Sequence, residues 1–236
     1  VRRAPPEYPV VRSEEETLEA VLQGKSIARF GDGEFNHVRG GKNVSQIADP
    51  KLTTELTAVL CEPQKRLIVG IPTLDERNPK YKNWLKYSAG YACHLNARMT
   101  YYSSFISRPD NAPWINTEEF FNKIEGLWKG EYVTLIANGE RSLKPQFLHD
   151  TGAKDVFFVQ CTYRDSYAQI DELEQRALQQ GAERVLLCCG PTATALAARL
   201  AKRGLHAIDL GHVGLLWRPY LKGRHLLQEN QDERTP

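Results

Sequence analysis

Four short apolar runs, Tyr132–Ala137, Val156–Cys161, Val185–Cys189 and Ala207–Leu210, recur through the second half of the chain. They are rich in β-branched and aromatic residues and apolar at nearly every position, so each needs cover on both faces. Between them lie Ser142–His149, Ser166–Gln180 and Thr192–Arg203, where apolar residues return at helical intervals. Strands with no polar face, separated by segments long enough for a crossover helix, leave few architectures open. The expectation is an α/β fold: a Rossmann-like, doubly wound, mostly parallel sheet with helices on both faces.

The first half fits the same plan. Ser13–Gln23 reads as a helix, with Ser13 at the cap and Glu16 three residues on. Ile27–Phe30 and Arg66–Ile71 read as strands, and Pro50–Leu60, Lys80–Met99 and Thr117–Trp128 as helices. A chain of 236 residues without a Pro/Ser-rich break suits one domain over 13–221, preceded by an extension or linker (1–12) and followed by a polar tail (222–236).

Charge and cysteine usage narrow the class. A net charge of +2 supplies no basic field for nucleic acid. No apolar run approaches the ~18 residues of a spanning helix, and the N-terminus lacks a signal-peptide pattern. Five cysteines without a C-x-x-C spacing argue against a disulfide framework or zinc site, and Cys161, Cys188 and Cys189 end apolar runs as small buried thiols would. A reducing cytoplasm is the expected location.

Ligands of open parallel sheets collect at the carboxyl ends of the strands. Five loops follow strands there: Gly31–Glu34, Asn138–Ser142, Cys161–Asp165, Gly190–Thr194 and Gly211–His212. The first belongs to Arg29-Phe-Gly-Asp-Gly-Glu-Phe35, which sets Asp32 and Glu34 one residue apart between glycines. On an extended loop, residues i and i+2 point the same way, so both acids face one site and suit a divalent cation. The plainer alternative is a solvated strand-to-helix turn.

Gly190-Pro191-Thr192-Ala193-Thr194 reads as a helix start whose hydroxyls and backbone N–H groups suit an anion, or as an ordinary capped turn. His212 follows a strand and a glycine, where it suits a cation or a phosphate. Arg29, Arg108, Arg141, Lys144 and Arg164 lie near these loops as phosphate partners. Trp84, Tyr91, Tyr101, Tyr102 and Trp114 make the middle of the chain aromatic, suiting either a base or sugar, or the core. No P-loop, G-x-G-x-x-G, H-E-x-x-H or G-x-S-x-G pattern is present.

Arg29–Phe35, Gly190–Thr194 and Ala207-Ile-Asp-Leu-Gly-His212, with weaker matches at Ile106–Pro109 and Gly139–Ser142, resemble the GT-D family of bacterial glycosyltransferases. The resemblance implies a metal-dependent enzyme that moves a sugar from a UDP-hexose, typically UDP-glucose, to a glycan or lipid-linked glycan in surface polysaccharide or glycoprotein synthesis. It further implies that Asp32 and Glu34 form a D-x-E motif binding Mn²⁺ or Mg²⁺, with His212 near the metal or the donor phosphates. Arg29, Gly31, Gly33, Arg108, Arg141, Gly190, Pro191, Thr192 and Thr194 would then line the donor. A homodimer, and further domains of a larger glycosyltransferase, are expected partners, and the inner membrane face an expected neighbour. Glu140, Asp165 and Asp75 stand as bases for an inverting reaction by loop position. The rival readings are a non-catalytic nucleotide-sugar-binding module of a larger assembly protein and a metal-dependent phosphohydrolase.

Overall fold

The computed structural model describes residues 8–108, 111–112, 117–138, 143–211 and 213. Seven strands form one sheet, and every pairing is parallel. In chain order they are β1 (Ser26–Arg29), β2 (Leu67–Ile71), β3 (Tyr102–Ser103), β4 (Tyr132–Ala137), β5 (Asp155–Gln160), β6 (Arg184–Cys188) and β7 (His206–Asp209). In space they run β3-β2-β1-β7-β6-β4-β5, which sets β1 and β7 side by side near the middle. The helices are α1 (Glu14–Leu22), α2 (Asp32–Val38), α3 (Pro50–Cys61), α4 (Tyr81–Tyr91), α5 (Thr117–Glu125), α6 (Pro145–Asp150), α7 (Ile170–Gln179) and α8 (Pro191–Lys202).

The expected double layer follows from strand alternation. Ile27, Ile68, Leu186 and Ile208 join one buried cluster with Leu18 of α1 and Phe120, Phe121 and Ile124 of α5. Their chain neighbours Ala28, Val69, Val185, Leu187 and Ala207 join the other, with residues of α3, α7 and α8. Successive strand side chains point to opposite faces, so uniformly apolar strands glue a layer to each side. Helix α8 is buried along almost its whole length and packs over β1 and β7. Its alanines let it lie close to the sheet.

Several boundaries depart from the sequence reading. The helix expected over 80–99 stops at Tyr91, and a 3-10 turn follows at Ala92–His94. There Asn96 accepts from the Arg98 N–H at 2.9 Å and donates to Cys61 O at 2.8 Å, local bonding that competes with a helix. Strand β3 went unforeseen because two residues carry no period. Of the stretch expected as an extension or linker, residues 8–12 contact the sheet side of the fold: Val11 bridges Tyr101, and the Tyr8 hydroxyl donates to Pro72 O at 2.7 Å. Edge strand β5 lacks full cover, leaving Phe157 and Phe158 exposed.

The central strand offers a direct check. Ile208 is fully buried between β1 and β6. Ile208→Ala should lower unfolding stability by about 2–5 kcal/mol in urea titration, because neighbours on both sides hinder collapse of the cavity.

Candidate functional site

A cleft of about 290 Å³ opens at the carboxyl ends of the strands, where the sheet architecture directs ligands. All five loops singled out above reach it, through Gly31–Glu34, Asn138, Tyr163, Gly190–Pro191 and Gly211. Two further segments complete the wall: Asn43–Ser45, and the Ser104–Arg108 stretch after β3 with Trp84 of α4 beside it. Topology explains the crevice. The chain leaves β1 and β6 toward the layer of α2, α3 and α8, whereas after β7 it turns to the opposite cluster at Val213.

The floor is a buried ion pair between Arg29, at the end of β1, and Asp209, at the end of β7, with side chains 9% and 5% exposed and 3.2 Å apart. The Arg29 guanidinium also donates to Asp209 O at 2.6 Å, Ser104 O at 2.9 Å and the Ser107 hydroxyl. Asp209 further accepts from the Arg29 and Gly211 backbone N–H groups and from the Thr194 hydroxyl. A side chain at Gly211 would strike the guanidinium, and its φ of 53° also favours glycine. Arg29 lines the cleft, but most of its donors are committed to the protein, which makes it a brace more than a phosphate clamp. Asp209 was not singled out in the sequence. Its signal was an acidic residue in a strand otherwise apolar, which burial permits only with a partner.

The acid pair differs from expectation in geometry. Asp32 and Glu34 sit not on an extended loop but in the first turn of α2, with Gly31 as the cap. Residues two apart on a helix diverge by roughly 200°. Asp32 accordingly stands exposed at the cleft, while Glu34 is partly buried and accepts from the Gly31 N–H at 2.8 Å, as a capping residue does. Both still line the cleft. Burial and then the charge of Asp209 raise the Glu34 carboxyl from 4.5 to about 7.

Around the start of α8 the structure separates backbone from side chain. Gly190 and Pro191 line the cleft, with Gly190 at φ 61°. The Thr192 and Thr194 hydroxyls, expected to face a ligand, turn inward. Thr192 pairs with the Ser166 hydroxyl at 2.8 Å, and Thr194 donates to Arg29 O at 2.9 Å. Pro191 has no N–H, and the Ala193 N–H returns to Gly190 O, so α8 offers an anion less than its sequence suggested.

Arg108 and Gly33 line the cleft, whereas Lys144 and Arg164 do not. Glu140, Arg141 and His212 lie outside the described residues. Of the other base candidates, Asp165 accepts from the Ile47 N–H at 2.7 Å and Asp75 pairs with Arg77 at 2.6 Å, both away from the cleft lining. Cys188 and Cys189 form part of the wall as buried thiols, and burial pushes Cys188 up to about 12, out of nucleophilic range.

For a divalent cation the donor set is hard oxygen, from Asp32, Glu34 and Asp209, with the Arg29 and Arg108 side chains in the same lining. Among the described residues no cluster of three His, Cys, Asp or Glu is arranged to hold a metal ion. Asp32 and Glu34 offer oxygen donors of the kind Mg²⁺ or Mn²⁺ accepts, one or two protein carboxylates being enough where water and phosphate complete the shell.

A parallel α/β sheet with helices on both faces and a cleft at the carboxyl ends of its strands defines a Rossmann-like class of protein. The model of the glycosyltransferase GT-D fold matches residues 27–227, and the chain belongs to that family. It is 29% identical to a probable glycosyl transferase, Gly, of Streptococcus gordonii, and 26% identical to the glycosyltransferase GlyD of Streptococcus pneumoniae, each over 86% of this chain. The chain spans only 32% and 26% of the length of those relatives. Among solved structures, a new glycosyltransferase from Streptococcus sanguinis superposes with a TM-score of 0.78 at 26% identity, covering 91% of this chain and 86% of that one. A second, described as a highly conserved domain with a distinct glycosyltransferase fold, gives 0.77 at 26% identity over 93% and 83%.

Two outcomes test this geometry. Arg29→Ala strands Asp209 as a buried charge and should cost about 3–5 kcal/mol, with Arg29→Met/Asp209→Leu costing less than the two single changes summed, read by urea denaturation. Glu34 holds its proton more tightly folded than unfolded, so between pH 4.5 and 7 the folded state binds more protons and stability falls as pH rises. Without added metal, Glu34→Gln should therefore be more stable than wild type by about 1–3 kcal/mol at pH 8 and closely matched at pH 4.

Proposed function

We propose that this domain is a glycosyltransferase that moves a hexose from a UDP-linked donor to a glycan acceptor with the help of a divalent cation. One observation carries the reading: the tips of β1, β6 and β7 bring Asp32, Glu34 and Asp209 into the same cleft as the Gly190–Pro191 helix start. Carboxylates facing a diphosphate repel it, and a cation between the two resolves that conflict at the Asp32 and Glu34 end of the cleft. Asp32 and Glu34 would hold it, and when bound it supplies Lewis-acid stabilisation of a leaving diphosphate.

In the transfer, an acceptor hydroxyl oxygen bonds to the anomeric carbon while the bond from that carbon to the diphosphate oxygen breaks. The electron pair leaves with the diphosphate, and the hydroxyl proton leaves with a base or solvent. Gly190 lets the backbone approach a phosphate closely, and Arg29 keeps the β1 and β7 tips at fixed separation while this charge develops. Asp32 is exposed and adjustable, whereas Glu34 is tethered to Gly31. The pair thus joins one movable ligand to one fixed ligand. We place the reaction in the cytoplasm and in the assembly of a surface glycan, which agrees with five free cysteines. Among the described residues no helix is long and apolar enough to cross a membrane.

UDP release from a panel of UDP-hexoses, with and without Mn²⁺ or Mg²⁺, is the deciding measurement. Asp32→Ala and Glu34→Ala should each lower kcat by roughly a hundredfold or more, with the far-UV spectrum unchanged, and EDTA should reduce wild type to the same level. Wild-type turnover unchanged by EDTA, or alanine variants that turn over like wild type with metal present, would remove the basis of the reading.

A further inference from the structure

Trp84 and Phe105 form an aromatic arm of the cleft, on which the donor reading uses Arg108 alone. The sheet order sets β3 two strands from β1 on one side, and β6 two strands from β1 on the other. Trp84 and Phe105 line the cleft on the β3 side of the acid pair, and Gly190 at the α8 start lines it on the β6 side. With the phosphates held toward α8, the β3 arm faces the opposite side of the reacting carbon.

That arm is aromatic and rigid. Tyr81, Trp84 and Tyr87 recur at three-residue spacing on α4, a spacing that brings side chains onto one helix face. Trp84 lines the cleft, partly exposed. Its ring is braced by Phe105 at 5.4 Å and Tyr87 at 6.0 Å, and its indole N–H donates to Asn111 Oδ1 at 3.2 Å. With its polar handle satisfied and its position fixed, the ring keeps an apolar surface for a ligand. Tyr87 continues that surface outward and is 45% exposed. A partly exposed aromatic pair at the mouth of a cleft offers a flat face to a ligand.

We propose that the α4 stripe of Trp84 and Tyr87 is the acceptor-glycan platform, on which a pyranose lays its C–H face while its hydroxyl points to the acid pair. This rests on the transferase reading above. A nucleobase is the competing occupant of Trp84, but a single base would be covered by one ring inside the cleft. The stripe instead runs out along α4 into solvent, as an extended chain of sugars requires.

The test follows cellobiose, lactose and chitobiose by saturation-transfer NMR on wild type, Trp84→Phe, Trp84→Ala and Tyr87→Ala, with UDP plus Mn²⁺ titrated in parallel. At least one disaccharide should bind wild type. Trp84→Ala should weaken it by roughly tenfold, Tyr87→Ala by a smaller factor, and Trp84→Phe should retain most of the affinity, with UDP affinity unchanged throughout. Tyr87 is exposed, so its variant keeps the test readable if Trp84→Ala fails to fold. Disaccharide affinity untouched in both alanine variants overturns the proposal. So does failure of all three sugars to bind wild type, and loss of UDP in place of sugar assigns the ring to the base. UDP failing to bind every protein while the sugar series behaves as expected would strike the transferase reading alone.

Discussion

Everything at the cleft depends on the burial of one charged pair. Arg29 and Asp209 lie at the tips of adjacent parallel strands, and neither tolerates desolvation without the other. Together they also engage Ser104, Ser107, Thr194 and the Gly211 N–H, so one interaction ties β1, β7, α8 and the segment after β3 into a single floor. An apolar pair would close the sheet as well, but would not orient four loops. The pair adds negative charge where Asp209 meets the cleft, and that charge helps to lift the Glu34 carboxyl. The same contact thus sets both the shape and the electrostatics of the site.

Glu34 shows how a structural and a chemical task share one side chain. As the third residue of α2 it returns to the Gly31 N–H, which satisfies a helix-end donor and holds the carboxylate still. The helix start stabilises the charged form, while burial and the neighbouring carboxylates oppose it, and the opposition dominates. A carboxyl near the midpoint of its titration at neutral pH is in a position to gain from a cation.

Much of the fold was legible because apolar periodicity is a local property. Tyr132–Ala137 was located to the residue, and the other long strands fell within one or two positions. The loops of the cleft were legible too, since a parallel sheet sends its ligands to the strand ends whatever the loops contain. What escaped were features set by contact at a distance. The start of α2 was read as extended because glycines flank Asp32, and the helix exists there because Phe35 and Val38 pack into the layer with α3. The threonines of α8 read as ligand groups, yet their hydroxyls complete buried bonds to Ser166 and Arg29.

The sequence by itself determined the layer plan, the parallel sheet and the set of loops at its carboxyl edge, because alternation and helical spacing act between neighbours in the chain. Strand order was beyond it: β7 lies between β1 and β6 only in three dimensions, and that placement makes a partner for Arg29 from a residue 180 positions away. The tertiary structure alone decided which acids share the cleft and which arginine is a brace, because desolvation and Coulomb forces depend on separations in space rather than along the chain.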